Sequence, residues 1–371
     1  MELNQVEKKS FQLASFTLEC GQSIPITLGY ETYGTLNDEK SNVILIAHYF
    51  SASSHAAGKY SPQDAAPGYW DGLIGPGKAI DTRRFFVIAI DNLCNVQWKN
   101  PKVITTGPRS VNPATGKRWG SRFPQFTFKD MVRIQHEFLT TQLGIEKLYA
   151  VAGASAGGFA AIEWAILYPT MLERAIGVIT NPQNPVQTSF NVCQHAMRAI
   201  ALDPKWQNGD YEDDREPEEG KRLAVQMMNA SAFSAELYEQ AYPRDSADGS
   251  PYASIDHPLG FETTLGNAVA ASCAVIDASH WYYTCRATML HDAARGHGSL
   301  KNALEKIQAK VLLVSCRQDQ LQPTVYNRQM AQTLSDMQKE VTLVEIESQK
   351  GHMAGILDTH LFADDVRHFL K

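Results

Sequence analysis

Short apolar runs recur along the chain with no polar residue alternating through them, at 43–47, 85–90, 148–152, 175–179 and 311–315. A strand with one wet face alternates. Runs that do not alternate suit strands covered on both faces of a parallel sheet. Between two of them, residues 130–143 place Met131, Ile134, Phe138 and Leu139 on one helical face and stop at Gly144. Strand and helix patterns in alternation predict an α/β fold, a mostly parallel sheet flanked by helices.

The alternation ceases after Asn181 and resumes after Lys301. The intervening stretch carries helix-like segments and turns but no buried strand pattern. The expected organisation is therefore one catalytic core, residues 1–181 and 299–371, interrupted by a helical insertion, residues 182–298, lying over the carboxyl ends of the strands as a lid. The acidic run 210–219 inside the insertion lacks the glycine and spacing of a calcium loop and reads as a solvated loop.

Composition changes this picture only by exclusion. The 371 residues carry 34 Lys+Arg against 40 Asp+Glu, a net charge of −6. That balance argues against nucleic acid or an anionic membrane as the main partner, since both need a basic face. No stretch approaches the roughly 20 apolar residues of a membrane span. Met1-Glu2-Leu3-Asn4-Gln5 leads into no apolar secretory segment, so the expected location is cytoplasmic. The 6 cysteines are scattered and read as reduced thiols. The histidines form no metal-ligand pattern, and no metal site is expected.

The strongest local signal for chemistry is Gly153-Ala154-Ser155-Ala156-Gly157, set between a strand pattern and a helix pattern. A serine on so sharp a turn projects its hydroxyl from the sheet edge, and small neighbours let the backbones approach. Such a nucleophile needs a base, and the base an orienting carboxylate. Asp319 follows the strand pattern 311–315. His352 follows the apolar run 341–346. Order and placement fit a Ser–Asp–His set, with His360 and His368 read as surface residues. Oxyanion donors are expected from the backbone N–H of Ala156 and from the loop after residue 47, at Phe50 with Tyr49 as the alternative. His48 and His55 in that loop read equally well as structural.

Longer blocks carry a resemblance. Gly68 to Thr82 reads GYWDGLIGPGKAIDT, and Thr106-Gly107-Pro108 is followed by Val111-Asn112-Pro113-Ala114-Thr115-Gly116-Lys117. With Asp130-Met131-Val132-Arg133 and Glu163-Trp164-Ala165, these resemble the homoserine O-acetyltransferase group of the α/β-hydrolase superfamily. The resemblance implies an α/β-hydrolase fold and a serine-dependent acyltransferase: Ser155 acylated, His352 the general base, Asp319 its partner. It implies acetyl-CoA as co-substrate, no bound prosthetic group, small-molecule substrates, and a homodimer supported by the lid.

The chain departs from the family pattern at several positions. Met353 follows the histidine where the family has an Asp that binds the substrate's amino group. The lid segment aligns so that Gln226 replaces an Arg that grips the carboxylate, and Phe233 replaces a Tyr. The loop 92–98 also differs. A zwitterion entering a desolvated pocket needs both charges paired. The expected substrate-binding residues are therefore Gln226 and Met353, and the expected acceptor is an alcohol less charged than homoserine. Ester hydrolysis on the same three residues is the alternative.

Overall fold

The computed structural model describes residue 3, residues 5–246 and residues 248–371. Its main sheet contains β1 (Lys9–Thr17), β2 (Ser23–Tyr33), β3 (Val43–Ala47), β4 (Phe86–Ile90), β5 (Ala150–Ala154), β6 (Arg174–Val178), β7 (Lys310–Cys316) and β8 (Val341–Ile346). They lie side by side as β1-β2-β4-β3-β5-β6-β7-β8. The first two neighbouring pairs are antiparallel and the rest parallel.

The apolar runs explain the inner strands. Val43, Leu45 and Ala47 enter one apolar cluster, while Ile44 and Ile46 enter another. Val311 and Leu313 separate from Leu312 and Val314 in the same way. Because side chains alternate across a strand, this division by parity shows that both faces are covered. Helices α1 (Phe128–Thr141) and α2 (Ala156–Leu167) cover one face, tied together where Trp164 Nε1 donates to Gln135 Oε1 over 2.8 Å. A Thr127–Asp130 capping box starts α1 at Phe128, earlier than its apolar face alone suggests. The antiparallel strands β1 and β2 form no continuous apolar run because they alternate: Phe11, Leu13 and Phe16 point inward between exposed neighbours.

Two boundary differences matter for the site. Strand β5 runs to Ala154, so Ser155 follows it without a spacer, and Leu148 makes only an isolated bridge to Leu172. Between β6 and β7 lie α3 (His195–Leu202), α4 (Glu218–Ala230), α5 (Ala235–Ala241), α6 (Gly260–Val275) and α7 (Ala278–Leu290). An isolated bridge between Gln183 and Asp292 closes the neck of this helical segment. No helix among the described residues is long and apolar enough to cross a membrane.

The acidic run is exposed at most of its positions, as expected of a solvated loop, but it is pinned to its surroundings at particular ones. Glu216 is only 3% exposed; it pairs with Lys99 and, at 2.7 Å, with Lys221, and accepts the Ala278 N–H at 2.8 Å. Asp213 pairs with Arg109 and Arg118, and the Tyr211 hydroxyl donates to Asp277 over 2.9 Å. Charge density alone does not reveal that, Lys221 apart, the matching cations sit more than ninety residues earlier, on the 99–118 segment. The run therefore fastens the helical segment to the core. Glu216→Ala would leave Lys221 buried without its full complement, at a cost of about 3–5 kcal/mol. Urea unfolding followed by circular dichroism should show that loss as a lower midpoint, and an unchanged midpoint would contradict the anchoring role.

Candidate active site

Ser155 has φ 52° and ψ −118°, a left-handed backbone that an L-residue adopts only when its surroundings impose it. The surroundings are specific. The Ser155 N–H donates to Val178 O at 2.8 Å, and the Thr180 hydroxyl donates to Ser155 O at 2.9 Å. A Cβ on Gly153 would lie 2.2 Å from the Gly157 backbone, and one on Gly157 would lie 2.0 Å from Ala47 O. Both glycines are thus required by close approach of strand, turn and helix. Although Ser155 occupies the N-cap of α2, its hydroxyl makes no cap bond. It meets His352 Nε2 at 2.8 Å instead.

His352 lies in a short helical turn, Gly351–Met353, after β8. Its Nδ1 is 2.8 Å from Asp319 Oδ2, and Asp319 Oδ1 accepts the N–H groups of Leu321 and Gln322, each at 2.8 Å. An ionised carboxylate can only accept, so Nδ1 carries the proton and Nε2 is left to accept from the serine. The three expected residues therefore form one hydrogen-bonded chain, with Asp319 5% and His352 7% exposed. His360 and His368 lie on the surface.

The first N–H groups of a helix have no intrahelical acceptor, which leaves that of Ala156, the first residue of α2, available beside the serine. Phe50 lines the same cavity, and its ring packs edge-on against Trp281 at 4.8 Å. The loop bearing Phe50 is held by residues that the motif reading passed over. Gln97 Nε2 donates to Ser51 O at 2.6 Å, and Asn95 Nδ2 donates to Ala52 O at 3.0 Å. Buried His48 accepts the Asn92 N–H at 3.0 Å and takes a structural role; His55 pairs with buried Glu31 at 3.0 Å. Asn92, Asn95 and Gln97 all belong to the 92–98 loop, whose departure from the family pattern was the available signal.

The cavity over Ser155 has a volume of about 250 Å³. Core loops line one side and the helical segment the other, through Val225, Met228, Asn229 and Ala232. The segment also bonds to the histidine loop, since Met353 N–H donates to Ala232 O at 3.3 Å and Ser234 N–H to Gln349 O at 3.1 Å. Among the described residues no Asp, Glu, Lys or Arg lines the cavity. Burial pushes the Tyr49 hydroxyl up to about 12, so that wall is neutral as well.

Met353 lines this cavity, packed with Val192, Ala232 and Leu321. Gln226 does not. It faces outward into a surface groove with Leu202, Asp203 and Arg222. Gln226, expected to bind substrate, therefore lies outside the cavity over Ser155, and its helix neighbours line that cavity instead. The reason is helical phase: each residue turns the face by about 100°, and Val225, Met228, Asn229 and Ala232 share the inward stripe. No group of three or more potential metal-ligating side chains occurs among the described residues.

Comparison with known proteins fits this geometry. The α/β hydrolase fold family matches residues 43–359. Homoserine O-acetyltransferase of Carboxydothermus hydrogenoformans is 33% identical over 371 residues, covering 99% of this chain and 95% of that protein. A crystal structure of homoserine O-acetyltransferase from Bacillus anthracis is 52% identical with a TM-score of 0.97, covering 99% of this chain and 98% of that one. A crystal structure of an esterase is 40% identical with a TM-score of 0.94, covering 99% of this chain and 100% of that one. The α/β fold, the serine turn and this similarity over nearly the whole length agree: the chain belongs to the homoserine O-acetyltransferase family of α/β-hydrolase-fold proteins.

Proposed function

We propose that this chain is a serine acyltransferase that moves a short acyl group, acetyl from acetyl-CoA, through an acyl-Ser155 to an uncharged alcohol. The observation that carries this reading is the hydrogen-bonded chain Ser155–His352–Asp319 opening into a cavity without a charged side chain.

The geometry supports each step. His352 Nε2 takes the hydroxyl proton as Ser155 Oγ bonds to the thioester carbonyl carbon. The carbonyl oxygen becomes an oxyanion facing the N–H groups of Phe50 and Ala156. Collapse breaks the carbon–sulfur bond, and His352 returns its proton to the departing thiolate. An acceptor hydroxyl then gives its proton to His352 and attacks the acyl carbon. Cleavage from Oγ releases the new ester, and Ser155 regains its proton. Asp319 holds the imidazole in the tautomer that makes both transfers possible.

Relatives bear the name homoserine O-acetyltransferase, but this cavity offers no partner for an α-ammonium or an α-carboxylate. Leaving both charges unpaired costs several kcal/mol. Hydrolysis, with water as the acceptor, is the second reading. It draws on the same neutral cavity and on the 40% identity to an esterase.

Two experiments test these statements. A fluorophosphonate should label the wild type at Ser155 and leave Ser155→Ala unlabelled. Asp319→Asn should slow that labelling by roughly 10³–10⁴; labelling at the wild-type rate would remove Asp319 from its role. For the acceptor, CoA release from acetyl-CoA is followed with L-homoserine or with neutral alcohols such as 1-butanol. Neutral alcohols should yield their acetyl esters, while homoserine should leave the rate at its value in buffer. Robust O-acetylhomoserine formation would contradict the neutral-acceptor assignment, and free acetate unaffected by any alcohol would favour the hydrolase.

A further inference from the structure

Asp319 is held at both carboxylate oxygens, and the hold on one of them reaches back into the helical segment. Oδ2 meets His352 Nδ1, while Oδ1 accepts the N–H groups of Leu321 and Gln322. Each of those two residues is in turn fixed from outside the loop. The Thr188 hydroxyl donates to Leu321 O at 2.6 Å. The Gln322 side chain is gripped at both ends: its Oε1 accepts from Asn181 Nδ2 at 2.9 Å, and its Nε2 donates to Asn184 Oδ1 at 3.1 Å.

These bonds belong to one directed run of amides. Asn327, on the helix Thr324–Asp336, donates to Asn181 Oδ1 at 2.8 Å, and Asn184 Nδ2 donates onward to Ser189 Oγ at 2.8 Å. Asn181 and Asn327 are 0% exposed and Gln322 3%. At that depth water does not replace a lost amide bond. Flipping either middle amide, Asn181 or Gln322, would set carbonyl against carbonyl and NH2 against NH2, so their arrangement is fixed. Asn181 follows β6, Gln322 follows β7, and Asn184 and Ser189 open the helical insertion; the run therefore ties the acid loop to three other parts of the fold.

We propose that Asn181 is a positioning residue for the carboxylate of the catalytic set. By fixing the Gln322 side chain it holds the Gln322 N–H against Asp319 Oδ1, and that keeps Oδ2 turned to His352 Nδ1. Asn181 is not among the residues that line the cavity over Ser155, so it acts through Asp319 and not on the substrate. A misplacement of about 1 Å in a catalytic set costs up to about 10² in rate, which sets the scale of the effect. This inference rests on the role assigned to Asp319 above.

The test follows the rate at which a fluorophosphonate labels Ser155 in two backgrounds. With Asp319 present, Asn181→Ala should slow labelling by roughly 10–100-fold. In the Asp319→Asn background the same substitution should change the rate less than twofold, because the group it positions is already lost. Proton NMR supplies a second readout: the far-downfield His352 Nδ1–H resonance, the signature of its bond to Asp319, should shift or broaden in Asn181→Ala. Gln322→Met, which keeps the length of the side chain and deletes its amide, interrupts the same link and serves in place of Asn181→Ala should that variant not fold. An unchanged labelling rate, an equal loss in both backgrounds, or an unchanged resonance overturns the positioning role while the acyl-enzyme reading stands. Wild-type labelling by Asp319→Asn, or no labelling of the wild type, overturns the reading beneath it, and the positioning role with it.

Discussion

The close passage of backbone at Ser155 is the constraint on which the rest depends. Strand β5, the turn and α2 approach so tightly that Gly153 and Gly157 have no room for a Cβ, and Ser155 is forced to φ 52°. That conformation costs free energy, which the packed sheet and helix supply. In return the hydroxyl is withdrawn from capping the helix and presented to His352, while the first N–H of α2 lies beside it. The same turn therefore places the serine hydroxyl and a helix N–H without an intrahelical acceptor side by side. Relaxing it would displace both groups at once.

The remaining parts are brought to that turn by the sheet and by the insertion. Asp319 and His352 follow β7 and β8, which are neighbours at the far edge from the N-terminus. The helical segment then closes over them through bonds to the histidine loop and through the Glu216 and Asp213 ion pairs. Its buried charges lie in that fastening, while the wall it offers to the cavity is neutral. This separation explains how an acidic stretch can serve a site that contains no acidic side chain beyond Asp319, whose carboxylate is taken up by His352 and two backbone N–H groups.

Much of this was legible in the sequence. Continuous apolar runs marked β3 to β7 because strands buried on both faces cannot alternate. The serine turn was legible because it needs glycines at fixed spacing, and Asp319 and His352 because each follows a strand pattern in the expected order. Strands β1 and β2 were less visible, since alternation on a half-exposed pair is a weaker signal than a continuous apolar run. Gln226 was misplaced for a similar reason. An aligned helix fixes which residues belong to it but not which face turns inward, so Asn229, three residues along, was passed over. The supports of the Phe50 loop, Asn95 and Gln97, contact residues more than forty positions away. Only the folded chain brings such groups together.

The most direct test of the central claim is intact-mass and peptide analysis of the protein quenched during turnover of acetyl-CoA. A covalent intermediate predicts one added acetyl group, located on Ser155, present in the wild type and absent from Ser155→Ala. Turnover with no acetyl adduct under rapid quench, or with the adduct on another residue, would contradict the account.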